Sequence, residues 1–252
     1  MRLALLAIPA VRSAVSLELG RAIEYHASIA STQQRARALA AQGAAPLIVV
    51  ADVQTAGLGT KGRSWDAPRG AALLASWLYR PAPAAPGLYA VLAGVAVARA
   101  LDQMGVRDAR LKWPNDVVLG QKKVAGVLAH GTTGAEGGSL VVGIGINVHQ
   151  TTSDLAGALA STATSLAIVG ADIDRLVLLV ALTRELDRVT PPASRDDALA
   201  EWRRRATLLG REVEVVRDGS TALRGIARDI ADDGALVVDS ERVVAGEVHV
   251  IG

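Results

Sequence analysis

Cysteine and phenylalanine are both missing from this 252-residue chain, and its aromatic side chains amount to four tryptophans and three tyrosines. Without cysteine there is no disulfide framework, no thiolate nucleophile and no thiolate metal site. Without phenylalanine the interior is left to Ala, Val, Leu and Ile, so each tryptophan asks for an explanation. An excess of one charge is lacking too. Lys and Arg total 27 against 25 Asp and Glu, and a net charge of +2 falls short of the field that marks a nucleic-acid-binding surface. No apolar run approaches the ~18 residues needed to cross a bilayer, because Arg99, Lys112 and similar charges interrupt every candidate. The start, Met1 to Ala10, has the flavour of a secretion signal, but its apolar run is short and no convincing small-residue cleavage site follows. The chain reads as soluble and cytoplasmic.

What is present is ample core material: half the residues are hydrophobic and 21% are charged, too apolar for disorder. The length fits one large domain, or one medium domain with a small appendage. Ser31 to Ala41 offers cap hydroxyls, good helix formers and Gly43 as a stop, which predicts a helix. Leu47–Ala51 is a buried strand, and Gln54 to Gly70 is a long Gly-rich loop of the kind that usually carries function. Ala71 to Tyr79 is strand-like, and Leu88 to Met104 is an apolar helix set off by Pro81, Pro83 and Pro86. Strand-length pieces follow at Arg110–Lys112, Val117–Leu119, Val124–Ala129 and Leu140–Val148, with a Gly-rich hairpin at Gly131–Gly138. Successive strands without helices between them predict an α+β fold with a mixed or antiparallel sheet. Asp172 to Val189 reads as a helix with Ile173, Leu176, Val177 and Val180 on its apolar face, and Ala198 to Ala206 as another, with Arg203–Arg205 as a solvated run. From Arg211 onward short alternating strands and polar turns, Asp218-Gly219 among them, predict a small β-barrel. The expected division is residues 1–209 and 210–252.

Four stretches can carry chemistry. Gly57 to Ser64 nearly matches the phosphate-cradling P-loop pattern, with Arg63 where Lys belongs, but no clear helix follows, and a plain surface loop is the alternative. Lys112-Trp-Pro-Asn-Asp116 gathers a cation, a flat apolar ring, an amide and a carboxylate; it reads equally as a strand-to-strand turn. Lys123 heads a strand that Gly126 interrupts, as close approach of a ligand requires, or it is simply solvated. Gly143-Ile-Gly-Ile-Asn147 places two glycines in a buried strand, for which a bulge is the plain account. The histidines at 26, 130, 149 and 249 show no metal-ligand spacing, and Ser64, Ser76 and Ser139 lack a nucleophile elbow, so no metal site and no serine hydrolase are expected.

Taken in order, Ser31-Thr32, Gln54 to Gly57, Gly62 to Trp65, Lys112 to Asp116, Lys123 to Gly126 and Gly143 to Asn147 resemble the biotin protein ligase family, of the monofunctional type. The resemblance runs from about Glu24 to Gly252, and its most specific part is Lys-Trp-Pro-Asn-Asp. It implies a biotin/lipoate ligase-like catalytic domain with an SH3-like C-terminal barrel. It implies ATP and Mg²⁺, formation of biotinyl-5′-AMP, and transfer of biotin to a lysine of a biotin carboxyl carrier domain. By position, Ser31, Thr32 and Gln54 would hold the biotin ring, and Gly57 and Gly126 would let backbone approach. Lys123 would neutralise the carboxylate and then the adenylate, with Lys112 and Asp116 completing the catalytic group. Asp116 would receive the incoming ammonium. Lys61, Arg63, Trp65, Trp113, Asn115 and Asn147 would serve the nucleotide. Three departures stand out: Leu58 and Thr60 replace the loop's inner arginines, Gln33 stands for an Asn, and His130 for an acid. Nothing before Ser31 is long enough for the family's DNA-binding module, so no DNA partner is expected, and a homodimer is left open. The rivals are a non-catalytic relative that binds biotin or its adenylate, and a lipoate or octanoate ligase-like acyltransferase, which shares the fold.

Overall fold

The computed structural model describes residues 2–133, 137–217 and 219–251. Two sheets make up its β-structure. The larger has seven strands: β1 (Ala22–His26), β2 (Leu47–Ala51), β3 (Ala72–Tyr79), β4 (Arg110–Lys112), β5 (Asp116–Leu119), β6 (Lys122–Thr132) and β7 (Ser139–Asn147). Their order is β1-β2-β3-β7-β6-β5-β4, with β1 and β2 parallel and every other neighbouring pair antiparallel. The sheet is therefore mixed, and the fold is α+β.

Side chains alternate across the sheet, and its two faces have different cover. Trp77, Val142, Ile144 and Ile146 point into the main core with helices α3 (Pro86–Gln103) and α4 (Arg175–Val189). Pro86 does not stand off from α3 as a separator; it occupies the first turn, where its missing N–H costs nothing. The opposite face carries α2 (Thr32–Ala41), whose Ala36 and Ala40 pack on Val49, Leu78 and Val141. Ser31 caps α2, its hydroxyl oxygen accepting from the Gln34 N–H at 3.3 Å.

Two expectations are corrected. The apolar face of α4 is Leu178, Leu179, Leu182, Leu186 and Val189, while Val177 is 46% exposed. Positions 176 to 182 are all apolar, so periodicity alone could not choose the buried side. The Arg203–Arg205 run, on α5 (Arg195–Arg205), is not simply solvated. Arg205 pairs with Asp102 at 2.5 Å and Glu201 at 2.8 Å, and Arg203 with Asp229 at 2.6 Å, so two of the three arginines tie α5 to its surroundings. The start of the chain is built into the fold: a 3₁₀ turn over Arg2–Ala7, helix α1 (Pro9–Leu19) and β1, with Leu3 and Leu6 fully buried.

The second sheet is antiparallel and has five strands: β8 (Glu212–Arg217), β9 (Ser220–Ile230), β10 (Leu236–Val238), β11 (Glu241–Val243) and β12 (Glu247–Val250). Asp218 of the expected turn and residues 134–136 of the expected hairpin lie outside the described residues. Trp113 joins the two sheets, its indole N–H donating to the Gly234 carbonyl at 2.9 Å.

Candidate active site

The floor of the site is a set of cross-strand rows. Leu74, Gly145, Gly126 and Asp116 lie opposite one another across β3, β7, β6 and β5, and Ser76, Gly143 and Leu128 form the next row. Both rows face the side that α2 covers, but α2 reaches only the second, through Thr32 and Gln33 of its first turn, so a slot is left open over the first. Three of these positions lack a side chain. The register of β6 and β7 is unbroken through 125–132, so the glycines mark a lowered floor and not a bulge. The indole of Trp65 lies on the first row: a methyl on Gly145 would come within 2.5 Å of its Cε2, and one on Gly126 within 3.0 Å of its Cζ3.

At one end of the slot stands Lys123. Its Nζ lies 2.5 Å from Asp116 Oδ1 and 5.4 Å from the centre of the Trp65 ring. Its backbone is held on both sides, the N–H by the Thr162 carbonyl at 2.8 Å and the carbonyl by the Thr164 N–H at 2.9 Å. The long side chain is thus launched from a fixed base into the slot. Asn115 lines the same end, but its Nδ2 donates to the Val127 carbonyl at 2.8 Å and shapes the turn.

The other end is polar and uncharged. Ser76 Oγ donates to Thr32 Oγ1 at 2.9 Å, and Thr32 donates both its hydroxyl, at 3.0 Å, and its backbone N–H, at 2.8 Å, to Gln54 Oε1. Because a backbone N–H only donates, the oxygen of Gln54 is the atom turned toward Thr32, and its NH₂ remains to donate elsewhere. The slot between the two ends is an open pocket lined among others by Ser31, Thr32, Gln54, Trp65, Lys123 and Gly126.

The Gly-rich loop closes over this slot and returns to β3, with no α-helix after Ser64; the P-loop alternative is thereby excluded. A bridge between Leu58 and Ser64 and a short 3₁₀ turn at Thr60–Gly62 shape the loop tip. Lys61 and Arg63 pair with Glu247 of β12, at 3.7 Å and 3.3 Å. The loop stem is clamped by charge: Arg175, 2% exposed, sits 3.0 Å from Asp52, which also accepts from the Tyr25 hydroxyl at 2.6 Å. Burial, and then the Asp52 hydrogen bond, pushes the Tyr25 phenol up to about 12.

The structure distributes the sequence-derived residues unevenly. Lys61, Arg63, Lys112 and Asp116 line a second, wider cavity, which also meets the C-terminal sheet at Glu247, and Asn115 borders both cavities. Trp113 borders the second cavity but is 2% exposed and committed to Gly234, which makes it an anchor between sheets. Asn147 borders neither cavity: its Nδ2 donates to the Thr164 carbonyl at 2.9 Å and its Oδ1 accepts from Gln150 at 2.7 Å, so it pins the strand end. A side chain on Gly57 would overlap the carbonyl oxygen of Trp65; the glycine there serves the loop's own closure. His130, one row beyond Leu128, faces α2 and lies outside the slot, and burial with Arg37 nearby holds its pKa below the usual imidazole value. Two slot residues were not singled out as binding groups, Gln33 and Ser76. The signal for Ser76 was available, a lone serine among the apolar and aromatic residues of Ala72–Tyr79. Gln33 carried none beyond its departure from the family pattern.

Chemically, the slot can take a ligand with a neutral hydrogen-bonding head, an apolar middle and an anionic tail. No cluster of three or more metal-ligating carboxylates or imidazoles occurs among the described residues. Asp116 and Glu247 are the carboxylates that line the second cavity, so a magnesium ion there would depend on a nucleotide's phosphates for its other oxygen ligands.

Residues 25–147 match the biotin/lipoate A/B protein ligase family, and residues 208–250 match the biotin protein ligase C-terminal domain. The chain is 34% identical over 230 residues to the biotin–[acetyl-CoA-carboxylase] ligase of Mycobacterium tuberculosis, covering 87% of this chain and 84% of that one. It is 31% identical over 202 residues to the bifunctional ligase/repressor BirA of Escherichia coli, covering 77% of this chain, and it spans only 62% of that relative's length. Among solved structures, the biotin protein ligase from Aquifex aeolicus in complex with biotin and ATP superposes with a TM-score of 0.73 at 27% identity, covering 90% of this chain and 97% of that one.

Proposed function

We propose, for a chain that belongs to the biotin protein ligase family, that it activates biotin with ATP and transfers it to a lysine of a biotin carboxyl carrier domain. The observation that carries this reading is the polarity of one slot: neutral amide and hydroxyl groups at the Thr32–Gln54 end, glycine floor and indole in the middle, and the Lys123 ammonium at the other end. Biotin has the matching order, a ureido ring, a thiophane ring with an apolar tail, and a carboxylate. Residues 1–209 would form the catalytic domain and 210–252 a C-terminal domain that meets the loop through Glu247.

In the first half-reaction a carboxylate oxygen attacks the α-phosphorus of ATP, the bond to the β-phosphate breaks, and pyrophosphate leaves. Lys123 gives up its contact with Asp116 for the substrate's negative charge and places an ammonium where carboxylate and phosphate meet. Trp65 and the glycine floor exclude water from the mixed anhydride so formed. Magnesium supplies charge neutralisation on the phosphates when it accompanies the nucleotide. In the second half-reaction the carrier lysine's amine attacks the acyl carbon, AMP leaves, and the proton lost by the incoming ammonium passes to Asp116. The wide second cavity, open beside Lys112 and Asp116, is the route by which that lysine enters.

The test is pyrophosphate release with ATP and one acid at a time. Biotin is expected to give turnover, and lipoate and octanoate not, because neither meets the polar end with N–H groups. Lys123→Ala is expected to stop release while the chain stays folded, since the side chain is partly exposed and packs no core. Turnover with octanoate in place of biotin would move the chain to the acyltransferase rival. Near-normal release by Lys123→Ala would remove Lys123 from its role.

A further inference from the structure

Lys123 and Gly126 share one face of β6, since a methyl on Gly126 would come within 2.9 Å of the Lys123 Nζ. In a regular strand, residues three apart point to opposite faces. The exception here is a β-bulge. In the pairing with β5, Val117 lies opposite Ala125 and Val118 opposite Lys123, so Val124 has no partner. Val124 and Ala125, though adjacent in the chain, are both fully buried in the main core. Without the bulge, alternation would set Val124 beside Gly126 over the slot and turn Lys123 into that core. The facing of the ammonium thus depends on a break in the ladder, at a point where the strand has lost part of its usual pairing.

A segment from farther along the chain takes over that pairing. The register of β6 with β7 begins only at Ala125 and Ile146, and beside Lys123 a parallel bridge from Ala163 stands instead. Its two hydrogen bonds are the ones that Thr162 and Thr164 make to the Lys123 backbone. Thr164 is itself held, because its carbonyl accepts from the Asn147 Nδ2 at 2.9 Å. The Asn147 Oδ1 accepts from the Gln150 Nε2 at 2.7 Å, which fixes the orientation of the amide. At 6% exposed, Asn147 has both ends of its amide engaged within the protein. We propose that Asn147 is a positioning residue for Lys123: through Thr164 it holds segment 162–164 against the bulge and keeps the ammonium on the slot face, where the carboxylate of the acid meets it. The proposal rests on the reading of Lys123 as the carboxylate's partner and adds what holds it in place. Misplacement of a reacting group by about 1 Å can cost on the order of 100-fold in rate, so a loosened base for Lys123 is enough to matter.

The experiment measures, by titration calorimetry without ATP, the dissociation constants of biotin and of biotinamide, which carries a neutral amide in place of the carboxylate. The proteins are the parent chain, Lys123→Ala, Asn147→Ala and Thr164→Pro, the last of which removes the N–H given to the Lys123 carbonyl. In the parent, biotin is expected to bind roughly 10- to 100-fold more tightly than biotinamide, the range for one hydrogen bond to a charged group. Lys123→Ala should bring that ratio close to one. Asn147→Ala and Thr164→Pro should each lower the ratio by about threefold or more, while the biotinamide constant stays within about threefold of the parent's, because the ring end of the slot is untouched. The ratio of two ligands in one protein does not depend on the fraction folded, which separates positioning of the ammonium from stability. A parent-like ratio in either variant, including one in which both ligands weaken equally, would reduce Asn147 to a tie at the strand end. That result would overturn the inference and leave the ligase reading intact. A parent chain that binds neither ligand, or does not distinguish them, would overturn both.

Discussion

Gly145→Ala is expected to separate stability from activity. Gly145 lies in β7 without a left-handed backbone angle, so alanine can adopt its conformation, and replacing a strand glycine removes unfolded-state freedom worth roughly 0.5–1 kcal/mol. The new methyl would sit 2.5 Å from Cε2 and 2.8 Å from Cζ2 of Trp65. Carbon atoms pack at about 3.5–4.0 Å, so the indole must retreat by about 1 Å. Trp65 is only half-buried and held by a loop, so it can move at little cost to the fold. Stability is therefore expected to stay within about 1 kcal/mol of the parent, a shift of roughly 2–4 °C in Tm for a chain of this size. Activity is expected to fall, because a misplacement of about 1 Å at a reacting centre can cost on the order of 100-fold in rate. The assays are urea unfolding followed by tryptophan fluorescence, and pyrophosphate release as a function of biotin concentration. A variant with the parent's Tm and with kcat/KM within about threefold of the parent, less than 0.7 kcal/mol, would refute the assignment of Trp65 and the glycine floor to the substrate slot.

Three further outcomes are expected. Leu58 and Thr60 line the slot, and arginine at both positions should slow release of biotinyl-AMP in the absence of an acceptor by on the order of 100-fold or more, at roughly 1.5–3 kcal/mol per charged hydrogen bond; an unchanged off-rate would mean that the loop tip does not face the phosphate. Trp113→Phe should leave the Gly234 carbonyl without its partner and destabilise the chain by about 1–3 kcal/mol in urea, whereas a change below about 0.3 kcal/mol would show that the anchor is idle. All three tyrosines titrate above their ordinary range, Tyr25 and Tyr89 near about 12 and Tyr79 well above 10, with burial the leading cause in each. The folded chain keeps protons that the unfolded chain releases, so this contribution to stability is complete below pH 10 and is lost as pH rises toward 12. In the folded chain tyrosinate absorbance should thus appear only as pH approaches about 12, and a titration centred near pH 10 in the folded protein would contradict the burial.

Much of this protein is written locally. The Ser31 cap and the formers behind it make α2, the β-branched run at 47–51 makes β2, and the strands following one another at 110–148 require antiparallel neighbours. The absence of cysteine removed whole classes of chemistry before any fold was known. Lys123, Asp116 and Trp65 drew notice as charged or aromatic residues in short motif-like stretches, whereas Thr32 and Gln54 entered only through the resemblance to the biotin protein ligase family. What the chain does not write locally is register and facing. Only the pairing of β5, β6 and β7 brings Asp116, Gly126 and Gly145 into one row, and only then does Lys123 acquire a partner and Trp65 a floor. Asn147 ends a strand beside the site yet turns toward Thr164 and Gln150, a choice made by a segment that follows it in sequence. The apolar run of α4 could have buried either side, and packing against α3 decided which. Gln33 is one glutamine of a polar pair until Gly143, more than a hundred residues away in the chain, leaves room for its oxygen. Local patterns record the periodicity of one element, since a residue's nearest neighbours set its backbone preference. A binding slot is a sum over contacts between elements far apart in sequence, and it exists only once those elements have packed.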